Sequence, residues 1–304
     1  MTSAFVFPGQ GSQAVGMGND LNSLASAQKL FAEADHVLGF SLANMMFAGP
    51  KLELDDTVNT QPALYTMSVA LFESLPRADP AYLAGNSFGE YAALYVSGVF
   101  DFADGLRLVR TRGRLMKAAG ELAPGGMAAI IGLEDAVVRD ICDQIGGVQV
   151  SNYNTPGQVV VSGAKDSVAR AMLAARERKA KLVTALDVSI AAHSALMQPA
   201  VAEFTEAVNA TPMREPRIPV IANVTARPIR TVKAIRDELV GQLTAAVQWT
   251  QTIEYLVAQG VDTFVEIGSG KVLTGLIKRS ARSARLINVS DLASVQQFSG
   301  QERL

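Results

Sequence analysis

The feature that most constrains this chain is an alternation of short apolar runs with longer segments whose apolar residues recur every three or four positions. Residues 4–7 read as a buried strand cut by Pro8-Gly9. Residues 31–38 and 63–75 read as helices, 81–85 as a strand, and 90–96 and 103–119 as helices, the last closed by Gly120. Strand runs each followed by helical spacing predict a mainly parallel sheet with helices on its faces. The middle of the chain breaks this rhythm. After Pro124-Gly125-Gly126 come a strand (127–131), a helix (134–145) and two strands (149–153 and 158–162) joined through Asn154-Thr155-Pro156-Gly157. A helix (166–178) and a strand (181–188) complete the unit. That βαββαβ order is the ferredoxin-like arrangement. The sheet resumes near 218–224 and 263–267. The expected architecture is α/β: a parallel-sheet domain (1–122 and 190–304) carrying an inserted ferredoxin-like subdomain (123–189).

Composition removes several classes of function. With 49% hydrophobic residues in 304, a sizeable core is available. A formal charge of −2, from 27 basic and 29 acidic residues, lacks the basic excess of a nucleic-acid binder. No apolar run reaches the ~18 residues that cross a bilayer. The N-terminal residues 1–7 carry no basic region, and Pro8 arrives too soon for a signal peptide. The single cysteine, Cys142, excludes an internal disulfide and a thiolate metal cluster, and its helical setting reads as a buried thiol. The expectation is a soluble cytoplasmic protein with no metal, no membrane and no nucleic-acid partner.

Three residues could carry chemistry. Gly85-Asn86-Ser87-Phe88-Gly89 is a G-x-S-x-G between a predicted strand and a predicted helix. A strand turning sharply into a helix exposes the serine oxygen, and the helix start offers amides to an oxyanion. The same pattern also occurs by chance in ordinary turns; the context favours the nucleophile. A serine nucleophile needs a base, and the chain has two histidines. His36 falls on a polar position of a surface helix. His193, just beyond the inserted unit, becomes the partner by elimination, although no acidic residue stands out as a third member. Arg112 shares its helix face with Leu108, Val109, Leu115 and Met116, so it points inward. A buried guanidinium needs an anion: a core carboxylate in the bland reading, a substrate carboxylate beside a serine site. Two glycine motifs are not read as nucleotide-binding loops. Gly9-Gln10-Gly11-Ser12-Gln13-Ala14 lacks a following strand that ends on an acidic residue. Gly268-Ser269-Gly270-Lys271 has Val272 where a phosphate loop needs Ser or Thr.

Taken together and in order, these residues resemble the malonyl-CoA:acyl carrier protein transacylase family over nearly the whole chain. The pieces are Phe7-Pro8-Gly9-Gln10-Gly11-Ser12-Gln13, Thr60-Gln61-Pro62-Ala63-Leu64, the serine motif, Arg112-Gly113, residues 154–161, His193, Val247-Gln248-Trp249-Thr250 and Val265-Glu266-Ile267-Gly268. The resemblance implies a hydrolase-like α/β domain with a ferredoxin-like insertion. It implies transfer of a malonyl group from coenzyme A to the phosphopantetheine thiol of an acyl carrier protein through a serine ester, without a cofactor. Ser87 would carry the acyl group and His193 would act as base and acid. The amides of Gln10 and Phe88 would form the oxyanion hole. Arg112 would grip the malonyl carboxylate, the carbonyl of Gln248 would orient His193, and Gln61 and Asn154 would lie near the site.

The family usually has His before the nucleophile and Leu or Gln after it. Asn86 and Phe88 stand there instead, and with the small Ala192 they bear on substrate choice. Fatty acid and polyketide pathways both remain open, as does a larger acyl group. The competing readings are a trans-acting polyketide synthase acyltransferase, an acyl hydrolase with the same serine and histidine, and a degenerate docking module. A general thioesterase would leave Arg112 unpaired. A monomer is expected. An acidic carrier protein would dock on a basic patch, either Arg176, Arg178, Lys179 and Lys181 or Lys278, Arg279, Arg282 and Arg285.

Overall fold

The computed structural model describes residues 2–76, 79–188 and 190–300. Among the described residues ten strands form two separate sheets: β1 (Ser3–Phe7), β2 (Tyr82–Gly85), β3 (Gly125–Ile131), β4 (Val148–Thr155), β5 (Gln158–Ala164), β6 (Leu182–Ala185), β7 (Val220–Ile221), β8 (Pro228–Ile229), β9 (Thr263–Ile267) and β10 (Arg285–Val289). The larger sheet has the order β10-β9-β1-β2-β7-β8. It is parallel except for the closing pair β7–β8. Its centre is apolar on both faces, as a parallel sheet covered by helices requires. Along β1 the side chains alternate between two cores. Phe5 and Phe7 enter the larger one, and Ala4 and Val6 enter the one that contains Trp249 and Phe264.

The smaller sheet is antiparallel, in the order β4-β5-β3-β6. With helices Asp135–Ile145 and Lys165–Glu177 on one side it is the ferredoxin-like unit read from the sequence. It has its own core, built on Val138, Ile141, Cys142, Val159 and Val161. On these two sheets and two cores we propose the division into 1–122 with 190–304 and an inserted 123–189. The expected boundary residue, Ser189, lies outside the described residues, as do Met1 and the last four positions.

The edge strand β4 is not left open to solvent. The Tyr153 amide donates to the Val247 carbonyl at 2.9 Å, and the Val247 amide donates to the Ser151 carbonyl at 2.8 Å. The small sheet is thereby pinned to the segment that precedes helix Trp249–Ala258.

Several elements differ from their expected lengths; the helix expected over 31–38, for one, runs Ala25–Leu38. The helix expected from 63 runs Thr57–Glu73, with Pro62 inside it. Asp56 caps its start by accepting from the Val58 amide. Pro62 has no N–H for the carbonyl four residues back, and Arg110 Nη1 donates to that Val58 carbonyl at 2.7 Å instead. β6 stops at Ala185, and its exposed residues have little to pack on. β7 keeps two residues of the expected 218–224 because the chain leaves the sheet to bring Asn223 to the site.

Candidate active site

Ser87 sits on the turn between β2 and helix Gly89–Val96, with φ at 54°. That left-handed conformation is costly for a non-glycine residue and is held by its neighbours. The turn is also too tight for side chains on either flank. A Cβ on Gly85 would lie 2.0 Å from the Gly89 carbonyl carbon, and one on Gly89 would lie 2.3 Å from the Phe7 carbonyl oxygen. The Ser87 amide donates to Asn223 Oδ1 at 2.9 Å. The Phe88 amide at the helix start and the Gln10 amide on the adjoining loop donate to no acceptor among the described residues. That loop packs directly on the Ser87 turn, since a Cβ on Gly9 would meet the Asn86 carbonyl oxygen at 2.7 Å. The Phe88 side chain is buried in the larger core.

His193 is 2% exposed and lies with Nε2 2.7 Å from Ser87 Oγ. Its Nδ1 is 2.7 Å from the main-chain carbonyl of Gln242. A carbonyl only accepts, so Nδ1 carries the proton and Nε2 offers its lone pair to the serine hydroxyl. Burial, with the Arg112 charge as the second cause, pushes the imidazole down to about 4, so it is neutral at pH 7. Gln149 holds the histidine main chain in place, with Nε2 donating to the His193 carbonyl at 3.2 Å and to the Thr244 carbonyl at 3.1 Å. His36 is exposed on the surface helix Ala25–Leu38.

The orienting carbonyl is a correction to the sequence reading, which assigned it to Gln248. The Gln248 carbonyl is already the first acceptor of helix Trp249–Ala258, taking the Thr252 amide at 2.9 Å. Gln242 instead follows helix Val232–Gly241, where the last carbonyls have no donor within the helix. Its carbonyl is therefore free to accept from the imidazole.

Arg112 is 1% exposed, the inward placement expected from its helix face. Nη1 donates to Gln61 Oε1 and Nη2 to Gln242 Oε1, both at 2.9 Å. The guanidinium stands over the Tyr91 ring at 5.9 Å, and Nε has no partner. Among the described residues no carboxylate lies within ion-pair distance of it. Both its acceptors are neutral amides, so the charge is held without being neutralised.

Gln242 ties the two halves together, because its side-chain Nε2 also donates to the Ser87 carbonyl at 3.1 Å and to Glu90 Oε2 at 2.5 Å. Glu90 Oε1 accepts from the Asn223 amide at 3.1 Å, and Glu238 Oε1 accepts from the next amide, Val224, at 2.9 Å. Burial and the neighbouring Glu238 raise the Glu90 carboxyl well above its ordinary value, and burial takes Glu238 up to about 7. Gln242, Asn223 and Glu90 escaped the sequence reading. Glu90 had a signal: a carboxylate one residue past the serine motif, inside an apolar helix. Gln242 and Asn223 had none in their local pattern.

The other expected positions divide. Gln61 is in the cradle. Asn86, half-buried beside Gly9, and Ala192, half-buried next to the histidine, adjoin the reacting pair. Asn154 is half-buried on β4 and makes no hydrogen bond to the site among the described residues.

The acyl transferase domain family profile matches residues 4–299. The malonyl CoA-acyl carrier protein transacylase of Escherichia coli K12 is 46% identical over 283 residues, covering 91% of this chain and 92% of that protein. The chain belongs to the malonyl-CoA–acyl carrier protein transacylase family. The transacylase of Bacillus subtilis 168 is 40% identical and covers 96% of this chain and 95% of its own. Among solved structures, the transacylase of Coxiella burnetii superposes with a TM-score of 0.96 at 36% identity, covering 99% of this chain and 98% of that one. A malonyl-transacylase in complex with its type II polyketide synthase acyl carrier protein superposes at 0.95 with 40% identity, covering 99% and 100%. Among the described residues no helix is long and apolar enough to cross a membrane, and no cluster of side chains could hold a metal ion.

Proposed function

We propose that this transacylase moves a malonyl group from coenzyme A to the phosphopantetheine thiol of an acyl carrier protein, through an ester on Ser87. His193 Nε2 takes the serine proton as Oγ attacks the thioester carbonyl, and the amides of Gln10 and Phe88 receive the developing oxyanion. When the tetrahedral intermediate collapses, the C–S bond breaks and the imidazolium returns the proton to the coenzyme A sulfur. In the second half-reaction the carrier thiol gives its proton to His193 and attacks the ester, and Ser87 leaves with that proton. Every proton is handled by one imidazole, and no cofactor enters the steps.

The observation that carries the choice of malonyl is Arg112. A buried guanidinium held by amide carbonyls and joined through Gln242 to the Ser87–His193 pair fits a free substrate carboxylate. A neutral acyl chain there would leave the charge unpaired. A monomer fits this reading, since one chain supplies every group in the scheme, and a cytoplasmic location belongs to the same proposal. The two exposed basic clusters, at 176–181 and 278–285, are candidates to meet an acidic carrier. Intact-protein mass spectrometry after brief mixing with malonyl-CoA tests the proposal. It expects a malonyl adduct that discharges onto added holo carrier protein. An adduct that is lost to water at the same rate with and without carrier would make the protein a hydrolase.

A further inference from the structure

The hydrogen bonds around Arg112 have a direction, and two residues outside the reacting groups set it. On one side, both Glu90 oxygens accept, Oε1 from the Asn223 amide and Oε2 from Gln242 Nε2. With its nitrogen committed there and to the Ser87 carbonyl, Gln242 has only Oε1 left for Arg112 Nη2. On the other side, Gln61 Nε2 donates to Thr57 Oγ1 at 3.0 Å. The single hydroxyl proton of Thr57 goes to Gln10 Oε1, also at 3.0 Å, so toward Gln61 the hydroxyl only accepts. That leaves Gln61 Oε1 facing Arg112 Nη1. The two ends of a primary amide are nearly the same size, so packing does not choose between them; the partners at the far end do.

We propose that Glu90 and Thr57 are positioning residues that turn the amides of Gln242 and Gln61 so that both carbonyls face Arg112. The inference rests on Arg112 as the carboxylate-binding residue. Reversing either amide would set N–H donors against guanidinium donors and push the fork out of register with an incoming carboxylate. The Thr57 arm also ends on the side chain of Gln10, whose amide serves the oxyanion, so carboxylate binding and oxyanion binding share one hydrogen-bonded chain. Glu90 enters through the two acceptors it presents. Each of its oxygens is needed as an acceptor, and an amide nitrogen cannot accept.

The test is kcat/KM for transfer of malonyl and of acetyl groups to the carrier, measured for Glu90→Gln, Thr57→Val, Thr57→Ser and Arg112→Ala, with thermal midpoints as a control on folding. Glu90→Gln and Thr57→Val should each lower malonyl transfer about tenfold and acetyl transfer less than about threefold, the scale of one misdirected buried hydrogen bond. Thr57→Ser, which keeps the hydroxyl, should behave as wild type. In an Arg112→Ala background neither substitution should change the malonyl-to-acetyl ratio further. The two arms lie on different helices, so either tests the idea if the other variant fails to fold. Malonyl and acetyl transfer falling together would make the residues merely structural and overturn the proposal. A ratio that falls in Arg112→Ala but not in Glu90→Gln or Thr57→Val overturns the positioning role alone. A ratio unchanged even in Arg112→Ala overturns the reading of Arg112, and this inference with it.

Discussion

The two halves of the site are built by different means. The Ser87 half is a backbone device: five consecutive residues, Gly85 to Gly89, set the sharp turn and the Phe88 amide, and the Gln10 amide comes from the loop packed against that turn. The Arg112 half is a side-chain device assembled from distant segments, with Gln61 lying 51 residues and Gln242 lying 130 residues from the arginine. In the proposed mechanism the first half supplies chemistry that any thioester could use, and the second supplies discrimination, its neutral cradle leaving the guanidinium charge to a substrate carboxylate. Gln242 belongs to both, with its carbonyl on the base and its side chain on the arginine. Changes confined to one half should therefore separate acylation from selectivity.

The largest expected effect breaks the chemical half. Ser87→Ala should abolish acyl-enzyme formation and reduce turnover by several orders of magnitude, as for other serine nucleophiles that work with a base. A mass adduct that persists in this variant would place the acyl group elsewhere. Next comes the recognition half. Arg112→Ala should cost malonyl transfer about a hundredfold or more, the scale of about 3 kcal/mol for breaking a buried charge pair, and cost acetyl transfer much less.

The pH dependence sharpens the same division, because Arg112 is also one of the two causes that depress His193. The base is active when neutral. With the imidazole pushed down to about 4, the acid limb of kcat/KM should fall near that value rather than near 6.5. Removing the arginine charge should move the acid limb upward in an acetyl-CoA assay, though only part of the way, since burial is the larger cause. A limb that stays fixed in Arg112→Ala would mean that the arginine charge does not reach the base.

The smallest effect concerns neither half. Replacing Arg176, Arg178, Lys179 and Lys181 with alanine should raise the carrier KM about two- to fivefold, the modest worth of exposed charges, and leave use of the coenzyme A ester intact. If the carrier KM does not move, docking belongs to the cluster at 278–285 or to neither.

What was legible in the sequence follows the same line. The Ser87 turn and the inward face of Arg112 depend on residues within a turn or two of each other, and both were readable from spacing. The two-sheet architecture was readable for the same reason, since each strand and helix carries its own periodicity. His193 was found by elimination rather than by pattern. Gln242 was not found, because its part is played by a main-chain carbonyl freed at a helix end, and every residue has a carbonyl. The choice of Gln248 failed on position: His193 Nδ1 lies against the Gln242 carbonyl, and the Gln248 carbonyl faces the helix it begins. Asn223 was hidden inside what read as a strand of seven residues, of which only Val220 and Ile221 stay in the sheet. Phe88 read as bearing on substrate choice, and its side chain turns into the core.

On the proposed reading, the charge of Arg112, held by neutral partners beside the Ser87–His193 pair, selects a carboxylated acyl group. The most direct measurement mixes the protein briefly with equimolar malonyl-CoA and acetyl-CoA and weighs the Ser87 adducts, for wild type and for Arg112→Ala. An almost wholly malonyl adduct is expected on wild type, with loss of that preference in the variant. Comparable malonyl and acetyl adducts on wild type, or a malonyl preference that survives in Arg112→Ala, would contradict it.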